Sequence, residues 1–389
     1  MTVRVVHVSA YYAPAFAFGG PPRSIHGLCK ALQNAGIDID VLTTDADGAG
    51  RLSPADAACR VYEGVPVRYY QRSWPTRIIG SRALTAEALS VFRHADVVHI
   101  HGLWNRVVWA AATRARRAGV PYVLSPRGML DAGSLRHHLW RKRVAYPLAD
   151  RGVVQHAAVI HATSAAEASG IRAWRPSARI EVIPNGIDPE VGGATVSRSD
   201  LGVQQDGPLV VSVGRIHPVK RLDLLIDAFQ RVVEMHPRAH LVIAGPDEHG
   251  LRSTLESRAG QVASAITWLG AVDAVRRDGL LRHASAFVMC SDSESFGLAA
   301  LEALRAEVPV VVTDTCGWDA IALEGAGYVV AQTAAAISDG LVEVLRDPVQ
   351  ARQMGARGRA YALRAFAWPS VAGRFDALYR SLLTAVDVR

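Results

Sequence analysis

The residues best equipped for chemistry lie in one stretch, Glu294-Ser-Phe-Gly-Leu-Ala-Ala-Leu-Glu302, with two carboxylates eight positions apart around a glycine. On a single helix that spacing would put them about 12 Å apart along the axis, from ~1.5 Å of rise per residue. A retaining glycosidase pair needs about 5–5.5 Å and an inverting pair about 6.5–9.5 Å, so two separate hydroxyl-binding tasks fit better than hydrolysis. The amides of Phe296, Gly297 and Leu298 would open the helix, where unpaired N–H groups and the helix dipole attract an anion. A capping Glu294 and a solvated Glu302 are the plainer alternative.

A second constellation is Val213-Gly-Arg215-Ile-His-Pro-Val-Lys220. A strand ends at Val213, and Arg215 and Lys220 follow on a loop before a helix. A forked guanidinium and a compact ammonium together suit a diphosphate, although solvated loop cations would look the same. A third is Val97-Val-His99-Ile-His101-Gly-Leu-Trp104. Strand alternation puts His99 and His101 on one face, with His101 at the strand end near Trp104. Imidazole and indole together can hold a sugar by hydroxyl and by ring face; a structural histidine is the alternative.

These residues need strand ends to hold them. Short β-branched runs alternate with amphipathic stretches, which predicts parallel α/β architecture. Strands are expected over 3–10, 39–43, 97–101, 122–125 and 159–163, then 209–213, 241–244, 266–269, 286–291 and 308–313. Helices are expected over 24–35, 107–118, 222–235, 298–306 and 370–386, the last starting at a kink at Pro369. Residues 188–208, with four Gly, two Pro and no periodicity, read as a linker between two doubly wound domains.

The 389 residues, half of them hydrophobic, exclude a disordered or fibrous chain and suggest two or three domains. Neither Gly-x-Gly-x-x-Gly after a first strand nor a P-loop occurs, which argues against a nicotinamide dehydrogenase and a P-loop ATPase. Cys29, Cys59, Cys290 and Cys316 are scattered without zinc spacing and read as buried thiols of a reducing compartment. No leader pattern and no run of about 18 apolar residues is present, so the expected location is the cytoplasm. The formal charge is +7, and residues 101–149 carry nine Arg/Lys against Asp131 alone. Within 134–146, Leu135, Leu139, Trp140, Val144 and Tyr146 interleave with four cations, as at an anionic membrane surface. A solvated Arg-rich helix face is the alternative. Nucleic acid is the weaker partner, because no recognised module accompanies the charge.

With these residues in hand, the chain resembles the retaining family 4 glycosyltransferases of the GT-B fold. The likeness rests on the Glu294–Glu302 stretch, the Val213–Lys220 stretch and Ile183-Pro-Asn-Gly-Ile-Asp188. Gly19-Gly-Pro-Pro-Arg, the His99–Trp104 stretch and Ser125-Pro-Arg-Gly-Met-Leu resemble the subgroup that builds bacterial exopolysaccharide and O-antigen repeats. The resemblance implies two Rossmann-like domains facing each other across a cleft: 1–188 with 370–389 binding the acceptor, a linker over 189–208, and 209–369 binding the donor. It implies a hexose, mannose or glucose, moved from a UDP- or GDP-linked donor to a polysaccharide-precursor or lipid-linked glycan. No metal would be required, and the enzyme would be peripheral on the cytoplasmic face of the inner membrane.

By the same resemblance, Arg215 and Lys220 bind the donor diphosphate with the Gly19 and Gly20 amides. Glu294 binds the donor sugar, with the Phe296, Gly297 and Leu298 amides alongside; Glu302 binds the ribose, and Val272 lies near the base. His101, Trp104 and Arg127 meet the acceptor, and the catalytic set is His101, Glu294, Arg215 and Lys220. Trp318, where many members have glycine and a nearby Glu, is expected to narrow the donor pocket. A sugar-nucleotide 2-epimerase and a non-catalytic membrane- or nucleic-acid-binding protein on the same scaffold are the rival readings.

Overall fold

The computed structural model describes residues 2–73, 78–130, 150–190, 196–203, 206–247 and 249–384. The basic stretch 134–146 therefore lies outside the described residues. The chain divides into two compact units, Met1–Gly186 with Trp368–Arg389, and Ile187–Ala367.

The first unit is built on β1 (Arg4–Ser9), β2 (Asp38–Thr44), β5 (Val61–Tyr62), β6 (Val65–Tyr70), β7 (Val97–His101), β8 (Tyr122–Ser125), β9 (Val159–Ala162) and β10 (Ile180–Val182). A two-residue hairpin, β3 (Ala46–Asp47) and β4 (Gly50–Arg51), stands apart from this sheet. The order is β10-β9-β8-β7-β1-β2-β6-β5, parallel except for the β5–β6 edge. Strands buried on both faces need apolar side chains in near-continuous runs, and alternate residues then serve opposite cores. Val5, Val41 and Val97 face α1 (Gly20–Asn34) and the C-terminal helix, whereas Val6, Leu42 and Val98 face α2 (Arg106–Ala118). Asn105 starts α2 by accepting from the Val108 N–H at 3.0 Å.

The second unit has β11 (Leu209–Val213), β12 (His240–Ala244), β13 (Ile266–Gly270), β14 (Ala286–Met289), β15 (Val310–Thr313) and β16 (Gly327–Val330), in the order β13-β12-β11-β14-β15-β16. On one face, α3 (Leu222–Met235) packs Leu225 and Phe229 against Val210, Leu241 and Val288. On the other, α4 (Ala274–His283) and α5 (Leu298–Arg305) bring Leu280 and Leu301 onto Val211, Val242 and Phe287. Leu201 and Val203, in the stretch read as linker, are buried in this same core.

The last helix, α6 (Trp368–Thr384), starts at Trp368 with Pro369 in its first turn, where a missing N–H costs nothing, so no kink is needed. It buries Val371, Phe375 and Tyr379 in the first unit, each worth about 1.5–3 kcal/mol of apolar burial. The Trp368 ring fits because two neighbours lack a Cβ. One added at Gly27 would lie 2.4 Å from that ring, and one at Gly186 2.1 Å. Among the described residues, no helix is long and apolar enough to cross a membrane.

Candidate active site

In the second unit β11 and β14 are adjacent and parallel, so the loops leaving their carboxyl ends meet. That is where open α/β sheets place ligands. Lys220 Nζ donates to Glu294 Oε1, and the Ser291 hydroxyl donates to the same oxygen at 2.6 Å. The pair is mostly but not fully buried, with side chains 23% and 12% exposed. Arg215 and Lys220 line a concavity with Gly214, Cys290 and Ser291. The loop cations and the Glu294 loop are thereby brought to one place.

Glu294 stands in a loop, not on the helix, so the helical spacing of Glu294 and Glu302 does not apply. The break comes from Gly297, whose φ of +77° is left-handed and caps α5. A Cβ there would also meet Trp318 Nε1 at 2.7 Å. The first N–H groups of α5 have no intrahelical acceptor, as at any helix start. The Phe296 ring is buried against Trp318 and Phe366, at 5.6 and 5.7 Å between centroids. Trp318 does not narrow a pocket: it is 5% exposed, and its indole N–H donates to Phe296 O at 2.7 Å. It supports the loop from beneath.

Glu302 lies on α5 and pairs with Arg277 Nη1 at 3.0 Å. Val272 follows β13, half-buried against the same core.

The first unit presents a different cluster. His99 and His101 share a face of β7, as alternation predicts, with ring centroids 4.2 Å apart. Arginine only donates, so Arg127 Nη2, at 3.3 Å, makes His101 Nδ1 an acceptor. His101 Nε2 then donates to His7 Nδ1 at 3.0 Å, which leaves the His7 Nε2–H buried without a partner among the described residues. A second chain runs in one direction. The Tyr379 hydroxyl donates to His99 Nδ1, His99 Nε2 to Ser125 Oγ, and Ser125 to His161 Nδ1, each at 2.7 Å. His161 Nε2 closes it on the Ile183 carbonyl, also at 2.7 Å.

Burial, aided by the Arg127 cation, pushes His7 and His161 down to about 3. His99 and His101 are also lowered well below their usual value, chiefly by burial. His7, His99 and His101 have ring nitrogens within 4.8 Å of one another. The bonds to both His99 nitrogens and the adjacent guanidinium make this a hydrogen-bonded network rather than an open ligand set.

Arg127 has a left-handed φ of +57° and donates to Asn185 Oδ1 at 2.7 Å. Its loop is held by Glu167, fully buried, which accepts from the Gly128 N–H at 2.7 Å and from the Thr163 N–H and hydroxyl. Trp104 packs half-buried near Met129, and its backbone N–H donates to Asp150 Oδ1 at 3.0 Å. Gly19, with φ of +79°, is the N-cap of α1, and Gly20 begins that helix. His7, Glu167 and Arg277 have no counterpart in the sequence reading. The signal for His7 was a polar residue inside an otherwise apolar strand; a buried charge on a helix leaves none.

Residues 19–186 match the glycosyl transferase 4-like domain and residues 194–361 the glycosyl transferases group 1 family. A phosphatidyl-myo-inositol mannosyltransferase of Mycobacterium tuberculosis is 33% identical over 210 residues, 51% of this chain and 53% of that protein. The match thus spans about half the length of that relative. A D-inositol 3-phosphate glycosyltransferase of Gordonia bronchialis is 28% identical over 93% of this chain and 84% of its own. Among solved structures, Anabaena HepE in complex with UDP and glucose superposes with a TM-score of 0.73 at 17% identity, covering 97% of this chain and 100% of HepE.

Proposed function

Since the chain belongs to the family 4 glycosyltransferases of the GT-B fold, we propose that it moves a hexose, mannose or glucose, from a nucleotide-diphosphate sugar to a glycan acceptor with retention. The observation that carries this reading is the convergence of Lys220 and Ser291 on one oxygen of Glu294 at adjacent strand ends. Such a carboxylate is pre-oriented to accept from sugar hydroxyls. The ammonium, Arg215 and the start of α5 supply positive charge where the diphosphate departs, and fixed charges of this kind stabilise a leaving group without reorganising. In our reading they make a divalent metal unnecessary. The acceptor oxygen bonds to the anomeric carbon as the bond to the diphosphate breaks, and the acceptor proton passes to the departing phosphate oxygen.

Both His101 ring nitrogens are engaged, so it can bond a hydroxyl only when its bond to His7 or to Arg127 opens. The nine cations within residues 101–149 favour a phosphate-bearing acceptor, such as a lipid-linked polysaccharide precursor at a cytoplasmic membrane face. The two relatives' names carry phosphatidyl-inositol and inositol phosphate, in keeping with this.

The test is a thermal-shift screen of UDP-glucose, GDP-mannose and related donors, followed by transfer assays with and without EDTA. One donor should raise the melting temperature, and transfer should persist in EDTA. No stabilisation by any nucleotide sugar would overturn the donor reading, and release of an epimerised sugar without acceptor would replace it with the epimerase.

A further inference from the structure

We infer that Arg277 is a positioning residue for donor binding, holding the Glu302 carboxylate for the ribose hydroxyls; this rests on the transferase reading above. Arg277 stands on α4 and is only 8% exposed. Burying a guanidinium is costly unless its charge and donors are matched. Here they are matched on two sides. Nη1 reaches Glu302 Oε1 at 3.0 Å, while Nε and Nη2 donate to Asp278 Oδ1 at 3.3 and 3.1 Å. Asp278, 4% exposed, also accepts from Arg305 Nη2 at 2.9 Å, and Arg305 is anchored on the Glu190 carbonyl at 3.1 Å.

Two cations and two carboxylates thus form a neutral chain joining α4 to α5. Three of its members are sealed from water, and Glu302, with its side chain 19% exposed, is the end that reaches it. A packing role alone would be met more cheaply by an apolar residue on α4, as Leu280 and Leu281 meet it nearby. Glu302 is the fifth residue of α5, and helical side chains lean toward the helix N-terminus. For Glu302 that is the end carrying Gly297 and the Glu294 loop. A guanidinium fixed at its far side by Asp278 holds one oxygen of the Glu302 carboxylate in place, so less freedom is lost when hydroxyls bind.

The experiment measures the affinity of the full chain for UDP and GDP and for their 2′,3′-dideoxy forms. Wild type, Arg277→Gln, Arg277→Lys, Glu302→Gln and the Arg277→Gln/Glu302→Gln double variant are compared. Wild type should prefer the ribonucleotide by roughly tenfold or more, the value of hydrogen bonds to a charged group. Arg277→Gln should lose most of that preference while its dideoxynucleotide affinity stays within about twofold, and Arg277→Lys should recover part of it. In the double variant, Arg277→Gln should add nothing to Glu302→Gln. A wild-type preference that survives Arg277→Gln would overturn the positioning role. If that variant does not fold, an undiminished preference in Arg277→Lys, which lacks the fork, does the same. A wild type indifferent to the ribose hydroxyls would instead remove Glu302 from the ribose, and the proposal with it.

Discussion

The polar clusters of the two units are built on opposite principles. In the first unit, His7, His99, His101 and His161 are buried and uncharged, and their hydrogen bonds run in one direction, from His101 to His7 and from the Tyr379 hydroxyl through Ser125 to the Ile183 carbonyl. In the second, the groups are charged and paired, and each pair reaches water through at least one partner: Lys220 with Glu294, and Arg277 through Glu302. A neutral network gains little from exchanging partners and loses much when one is removed, because every remaining group is left buried and unsatisfied. A charged pair with access to water can exchange its partner for a ligand. On the transferase reading we propose, the first cluster serves mainly as framework and the second as the donor site.

The sharpest way to break this comparison is Glu294→Ala. The second unit should keep its fold while turnover falls about 10²–10³-fold, the scale of losing one pre-oriented polar group. Wild-type-like kcat in a steady-state transfer assay would show that the pair is structural too. Acid should then act on the first unit. His7 and His161 titrate at about 3 folded against 6.5 unfolded, so below pH 6.5 the unfolded chain binds more protons. Their contribution is complete above pH 6.5 and is lost as the pH falls toward 3, by about 2 kcal/mol per histidine at pH 5. Hydrogen exchange at pH 7 and pH 5 should therefore show the first unit opening preferentially; equal loss in both units would contradict the neutral scaffold.

Ser125→Ala cuts the longer chain at its centre and should cost about 1–3 kcal/mol in denaturant unfolding, with donor affinity unchanged. The smallest effect belongs to Trp318→Phe. It keeps an aromatic ring but loses the pyrrole half of the indole and its bond to Phe296 O, with about 1 kcal/mol from that bond and a modest rise in donor KM.

The same contrast explains what the sequence made legible. The strands that carry Val213, His101 and Ser125 ended where apolar runs stop, and the Arg215, Lys220 and Glu294 loops were visible as charges just beyond such ends. Less visible were β6, one strand in from its edge, and the edge strands β10 and β16: β6 contains Pro66, β10 is three residues long around Glu181, and β16 opens on Gly327. The 12 Å figure for Glu294 and Glu302, from ~1.5 Å per residue, holds only on one continuous helix, and the left-handed Gly297 starts the helix between them. Arg277 and Glu167 were missed for a different reason: a charge on a helix reads as solvated, and only tertiary packing turns it inward. Trp318 was assigned to a pocket because its position in a motif says nothing of the Phe296 and Phe366 rings that cover it.

The seat of Trp368 between Gly27 and Gly186 has a consequence for the order in which the polypeptide is made. The uninterrupted second unit leaves the ribosome whole, whereas the first waits for a helix encoded after it, roughly 180 residues downstream of Gly186. At about 5–20 residues per second that is an interval of about 10–40 s. Throughout it, the groove that receives Phe375 and Tyr379 is open, and the His99 imidazole lacks its Tyr379 donor. The amino-terminal half therefore waits, incomplete, while the whole of the second unit is made.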